Sequence, residues 1–214
     1  MSMTAGKTIA MWSGGKDSCL ALWRAMKEME VDSLVCMMQH GKARAHGINA
    51  EIVKAQAESI GIDIVVEEAT WEDYGRRLKG IFHRLGVERA VFGDIYLEEH
   101  RTWIERVCRE SGVKPFFPLW GESTEKLAEE FIEAGFEAYV IATKKEFRDL
   151  LGRRFDRKFV DEVKKRGIDP CGEDGEFHTL VVDGPIFEKR LEVKLLDAYE
   201  GERYWHLGVE LLRA

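Results

Sequence analysis

An apolar run from Ile9 to Trp12 ends in Ser13-Gly14-Gly15-Lys16-Asp17-Ser18 and passes without a spacer into a stretch whose apolar residues, Cys19, Leu22, Trp23 and Met26, repeat with helical spacing. A strand that feeds a helix across a glycine turn makes a βα unit, and such units stack as a parallel sheet with helices on both faces. The pattern recurs. Strands are predicted at Thr8 to Trp12, Ser33 to Met38, Asp63 to Glu67, Arg89 to Gly93, Lys114 to Leu119 and Ala138 to Ala142, with helical stripes such as Trp103, Ile104, Val107, Cys108 between them. Gly61, Gly86, Gly112 and Gly135 each follow a predicted helix, where a left-handed stop favours glycine. The expected fold over residues 1–143 is therefore α/β, a doubly wound parallel sheet.

Beyond Thr143 the texture changes. Residues 144–166 hold ten Lys or Arg against five Asp or Glu, and Phe147, Leu151, Phe155 and Phe159 are spaced by four, which predicts a basic amphipathic helical segment broken at Gly152. Strand-like runs at Thr179 to Val182, Leu191 to Leu195 and Gly208 to Leu212 predict a small C-terminal α+β domain over residues 144–214, on the substrate side.

Composition narrows the function classes. With 45% apolar residues the chain can build a core, yet no apolar run nears the roughly 18 residues of a spanning helix, so no membrane partner is expected. Met1 to Lys7 lack the apolar stretch of a signal peptide, and a cytoplasmic location is expected. The net charge of −7 has the wrong sign for a surface that grips nucleic acid throughout. Four cysteines without CxxC spacing argue for reduced thiols rather than zinc or an iron–sulfur cluster. A single Asn and two Gln beside 33% charged residues suit a thermophile.

The Ser13 to Ser18 turn reads as an anion site. Its two glycines bring backbone N–H groups close to a phosphate, and the helix behind them adds unpaired donors and the positive end of its dipole. Lys16 adds a full charge, Ser13 and Ser18 add hydroxyls, and Asp17 reads as a Mg²⁺ ligand or a first-turn helix acid. A Walker A loop would need glycine where Ala10 stands and Ser or Thr where Asp17 stands. The plainer alternative is a strand-to-helix turn with serine as cap.

The hexapeptide resembles the SGGxDS loop of the ATP pyrophosphatases, which include GMP synthetase, NAD synthetase and several tRNA-modifying enzymes. That likeness implies an adenine nucleotide alpha-hydrolase-like fold, ATP and Mg²⁺ as cofactors, and attack of a substrate oxygen on the α-phosphorus. Nucleotide binding would fall to Ser13, Gly14, Gly15, Lys16, Asp17 and Ser18, joined by Gly93 and Asp94 where the strand order reverses. Asp17 and Asp94 are the implied Mg²⁺ ligands, with ribose contact or a helix cap as other readings of Asp94. Further segments, Val91-Phe92-Gly93-Asp94-Ile95, Arg101, Val107-Cys108, Pro118-Leu119-Trp120, Gly172 to Thr179, Asp183 and Pro185-Ile186-Phe187, resemble in order the diphthine–ammonia ligase family.

In that family the carboxylate of diphthine, a methylated histidine derivative on elongation factor 2, is adenylated, and ammonia then forms the amide. The resemblance implies catalytic roles for Lys16, Asp17, Glu176 and His178, substrate contacts from His46, Arg101, Glu173, Gly175, Glu176 and Thr179, and loosely a homodimer. Two segments depart from the family pattern. Arg44-Ala45-His46-Gly47 keeps only the histidine of a Tyr-Met-aromatic-His stretch, and Gly175-Glu176-Phe177-His178-Thr179 has His178 where the family has an acid. A plain acidic hairpin is the rival reading of Gly172 to Thr179, and structural histidines the rival for His46 and His178. Two other functions stay open: a tRNA-modifying ATP pyrophosphatase, favoured by the basic stretch and by Cys171 near the motif, and a nucleotide-binding regulatory protein.

Overall fold

The computed structural model describes residues 6–43 and 47–212. His46 lies outside the described residues. Strands β1 (Lys7–Met11), β2 (Ser33–Gln39), β4 (Ile64–Glu68), β5 (Val87–Val91) and β6 (Lys114–Phe116) form a parallel sheet in the order β4-β2-β1-β5-β6, and the short β3 (Lys42–Ala43) runs antiparallel along the end of β2. Helices α1 (Lys16–Met26) and α2 (Ala50–Ile60) cover one face, and α3 (Tyr74–Leu85) and α4 (Glu98–Glu110) the other. The side-chain alternation of β2 explains both layers: Leu34, Cys36 and Met38 join the core under α1 and α2, while Val35 and Met37 join the one under α3 and α4. Each such side chain contributes about 1.5–3 kcal/mol on burial. The four predicted helix stops have φ of +77° at Gly61, +64° at Gly86, +69° at Gly112 and +88° at Gly135. β1 pairs with β2 on one side and β5 on the other, so the sheet reverses its winding between β1 and β5, as expected.

A second sheet is antiparallel, in the order β8 (Phe177–Asp183), β7 (Glu137–Lys144), β10 (Tyr204–Leu211), β9 (Val193–Glu200). The strand predicted at Ala138 to Ala142 is β7, and it pairs with β8 and β10 rather than continuing the parallel sheet. Its run Val140 to Thr143 is buried without a break, the pattern that otherwise marks a parallel strand. Periodicity reports burial and not the pairing partner. The basic stretch is broken at Gly152 (φ +74°) as predicted, between a 3₁₀ segment (Lys145–Leu150) and α6 (Arg157–Lys165). The Asp156 carboxylate caps α6 by accepting from the Phe159 N–H at 2.9 Å. With α5 (Thr124–Glu133), α6 packs beside the second sheet, and Phe131, Phe155, Phe159 and Phe177 form a ring-to-ring cluster there. Among the described residues no helix is long and apolar enough to cross a membrane.

The two sheets meet at the glycine turn. The Val181 N–H of β8 donates to the Gly14 carbonyl at 3.0 Å, and the Lys16 N–H donates to the Thr179 hydroxyl at 3.1 Å. Gln56 of α2, fully buried, completes the seam: its Nε2 donates to the carbonyls of Gly14 (3.0 Å) and Val181 (2.7 Å), and its Oε1 accepts from the Trp12 indole at 3.0 Å. Gln56→Leu would take a partner from the Trp12 indole N–H and the Val181 carbonyl and leave the Gly14 carbonyl with the Val181 N–H alone. The expected loss is about 2–4 kcal/mol, read as a fall in melting temperature of roughly 5–12 °C by calorimetry.

Candidate active site

The turn sits at the carboxyl end of β1, where α1 starts. Gly14 takes φ +79°, and a Cβ there would meet Gln56 Oε1 at 2.6 Å, so glycine is required by conformation and by space together. The loop closes on itself through Ser13 and Ser18, whose hydroxyls lie 3.1 Å apart, and Ser18 donates to the Gly15 carbonyl at 3.0 Å. Gly93, at the end of β5, lies against the start of α1: a Cβ there would meet the backbone of Asp17 at 3.0 Å and of Ser18 at 3.1 Å. The second glycine requirement thus falls where β5 is drawn up to the helix N-terminus.

These groups open onto a cavity of about 440 Å³. Ser13, Lys16, Asp17 and Ser18 form one wall, Gly93 and Asp94 another, and Gly172, Glu173, Gly175, His178 and Thr179 face them from the second sheet. Met11, Met37, Ala43 and Tyr74 give it an apolar end. Of the sequence-selected residues that the structure describes, Gly14 and Gly15 form the turn behind this lining, and Arg101 and Glu176 stand apart from it. Arg101 does not line the cavity; its guanidinium lies over the Trp120 ring at 4.5 Å and donates to Glu105 at 2.8 Å. Glu176 is buried behind the wall, where Oε1 accepts from the Asp169 N–H at 3.3 Å and Oε2 has no hydrogen-bond partner.

Lys16 is 4% exposed and holds both oxygens of Asp17 at 2.8 Å. Burial alone would depress its pKa, but the neighbouring Asp17 carboxylate outweighs that and raises it above the ordinary lysine value. The ammonium is thus charged throughout the working pH range. Across the cavity Glu173 is pushed up to about 8, first by burial, then by the charge of Asp17, with Asp94 and Asp169 adding and Lys16 opposing. Such crowding of acids is what a divalent cation relieves. Among the described residues no three His, Cys, Asp or Glu side chains are gathered into a metal cage. Two carboxylates beside a phosphate site instead match Mg²⁺, which is held by one or two acids together with substrate phosphates and water.

Several site residues carried no sequence signal. His100 of α4 pairs with Asp94 and lines the cavity. Asp169 staples the acceptor-side loop, accepting from the N–H groups of Cys171 (2.8 Å) and Glu173 (3.2 Å) and from the Thr124 hydroxyl (2.7 Å). Gln56 was readable in principle, since it falls three and four residues after Val53 and Ile52 on the apolar stripe of α2. Cys171 is 3% exposed, its thiol donates to the Thr124 carbonyl at 3.2 Å, and burial holds its pKa far above that of an ordinary thiol, the opposite of a sulfur carrier.

A doubly wound sheet whose winding reverses at a glycine- and lysine-bearing strand-to-helix turn defines an α/β protein with a candidate anion site at that turn. The chain belongs to the diphthamide synthase family: residues 6–115 match the diphthamide synthase N-terminal domain and residues 123–213 the diphthamide synthase C-terminal domain. It is 28% identical over 216 residues to the diphthine–ammonia ligase of Schizosaccharomyces pombe, covering 86% of this chain and 36% of that protein. Against the diphthine–ammonia ligase of Rattus norvegicus it is 25% identical over 226 residues, covering 90% of this chain and 84% of the rat protein. The chain therefore spans about a third of the yeast relative. A solved structure described as a predicted subunit of tRNA methyltransferase from Methanocaldococcus jannaschii aligns with a TM-score of 0.44 at 15% identity, covering 84% of this chain and 98% of that one.

The raised Glu173 gives a pH signature. Between its ordinary 4.5 and about 8 the unfolded chain loses this proton while the folded chain keeps it, so stability falls as pH rises through that window. In the metal-free, nucleotide-free protein, Glu173→Gln should melt with the parent near pH 4 and above it by roughly 3–6 °C at pH 9.

Proposed function

We propose that this protein is an ATP-dependent diphthine–ammonia ligase that adenylates the carboxylate of diphthine on elongation factor 2 and forms the amide with ammonia. The observation that carries the reading is that the phosphate turn and the Gly172 to Thr179 loop face one another across a single cavity, with the Lys16 ammonium in its wall. The relatives' names supply the acceptor.

In this reading the triphosphate lies on the start of α1, where the helix N-terminus and Lys16 attract it, and the adenine lies against the apolar end formed by Met11, Met37, Ala43 and Tyr74. Asp17 and Asp94 are the residues that would hold Mg²⁺, which would neutralise phosphate charge when bound. A carboxylate oxygen of the acceptor forms a bond to the α-phosphorus as the bond to the β-phosphate bridging oxygen breaks, and pyrophosphate leaves. Lys16 stabilises the charge that grows on the leaving group. Ammonia then bonds to the acyl carbon, the acyl–oxygen bond breaks, AMP departs, and the surplus proton passes to water. Glu173 and His178 stand on the acceptor side, and Thr179, whose hydroxyl takes the Lys16 N–H, positions the loop. The buried Cys171 thiol gives no support to tRNA sulfur transfer.

Turnover with diphthine-bearing elongation factor 2, ammonium and Mg²⁺·ATP should release AMP and pyrophosphate in equal amounts. Release of ADP and phosphate would overturn the mechanism. Lys16→Ala should lower kcat by about 10²–10³-fold while ATP affinity falls much less, because the lysine acts mainly on charge that develops in the transition state.

A further inference from the structure

One face of the second sheet carries a row of rings that the mechanism above does not use. Register places His178 opposite Ala142, Ala142 opposite His206 and His206 opposite Tyr199, so these four side chains cross β8, β7, β10 and β9 on one face. Tyr204, two residues before His206 and so on the same face, stands opposite Lys144. Successive ring centroids are 5.2 Å apart from His178 to Tyr204, 6.1 Å from Tyr204 to His206 and 5.4 Å from His206 to Tyr199.

The row touches the cavity directly. His178 and Gly175 line it, and a Cβ on Gly175 would sit 3.0 Å from the Tyr204 hydroxyl. Gly47 rests on the next ring in the same way, 2.7 Å from His206 Nδ1 by the same construction. Burial holds the Tyr204 phenol up and, with Lys42 adding, the His206 imidazole down, so both rings are neutral at pH 7. The far end already serves a cation: the Lys42 ammonium lies 4.8 Å from the Tyr199 ring centroid and donates to its hydroxyl at 2.9 Å.

We propose that Tyr204, flanked by His178 and His206, is the acceptor subsite and receives a quaternary ammonium group adjacent to the reacting carboxylate. The inference rests on the reading that the acceptor is diphthine, whose carboxylate is carried by the carbon that bears a trimethylated nitrogen. A methylated cation has no N–H to offer a carboxylate and is cheaply desolvated, so it is best held by aromatic faces. Mg²⁺ and ammonium have the opposite preference and are drawn to the acids, Asp17 and Asp94 on the facing walls and Glu173 in the loop before β8. Rings at one place in the cavity and carboxylates at another thus sort the three cations of the reaction.

The test uses the full chain with Mg²⁺ and a non-hydrolysable ATP analogue, titrated with trimethylglycine and separately with its isostere 3,3-dimethylbutanoate, in which a quaternary carbon replaces the charged nitrogen, and followed by NMR of the aromatic side chains. Trimethylglycine should shift the Tyr204 and His206 rings and bind about tenfold more tightly than the isostere. Tyr204→Leu should abolish that preference and Tyr204→Phe should keep it, with melting temperature confirming that both fold. Equal binding of the two probes, absence of shifts at Tyr204, or a preference that survives Tyr204→Leu overturns the subsite. In turnover, Tyr204→Leu should raise KM for the acceptor about tenfold with KM for ATP unchanged, and an equal effect on both overturns it as well. The two readings fail separately: probe preference without acceptor-dependent AMP release sinks the ligase assignment alone, and AMP release without the preference sinks the subsite alone.

Discussion

A single buried carboxamide holds the two sheets in register. Gln56 uses its amide nitrogen on two backbone carbonyls, one in the glycine turn and one in β8, and its oxygen on the Trp12 indole. In a fully buried position the Trp12 indole and the carboxamide itself have no water to turn to, so the arrangement is favoured only when all are satisfied at once. That condition fixes where β8 lies against the start of α1. Everything at the cavity follows from it, because Thr179 and the loop before it are carried by β8.

Charge within the cavity is unevenly divided. Lys16 is held by Asp17 on the phosphate side, and Glu173, Asp94 and Asp17 crowd the centre, while the second sheet offers rings and histidines. Acids gathered this closely repel one another, and burial first and this repulsion second make Glu173 hold its proton well above the usual carboxylate range. Aggregate charge says little about this. The chain is acidic overall, yet its phosphate site depends on one buried lysine and a helix terminus.

What could be read in advance was local. The turn from Ser13 to Ser18 declared itself because strand, glycines, lysine and helix are contiguous, and β1 and β2 because consecutive apolar residues mark strands buried on both faces. Gly93 and Asp94 were placed correctly through the reversal of winding beside β1. Long-range facts were not legible. The pairing of β7 depends on strands that follow it by tens of residues, and the Asp94–His100 pair bridges a loop and a helix without any regular spacing. Arg101 illustrates the converse: a motif position chosen by likeness, whose cation is spent on Trp120 and Glu105. Gln56 hid in plain view, a polar residue on an apolar stripe, which is a signal only when the stripe is taken seriously at every position.

The hydrogen bond from Val181 to the Gly14 carbonyl has a mechanical consequence. The peptide unit at the bend of the glycine turn is anchored to the edge strand of the other sheet, so the turn cannot rotate without straining its bond to β8. Main chain, which no substitution of a side chain removes, thus ties the start of α1 to the second sheet.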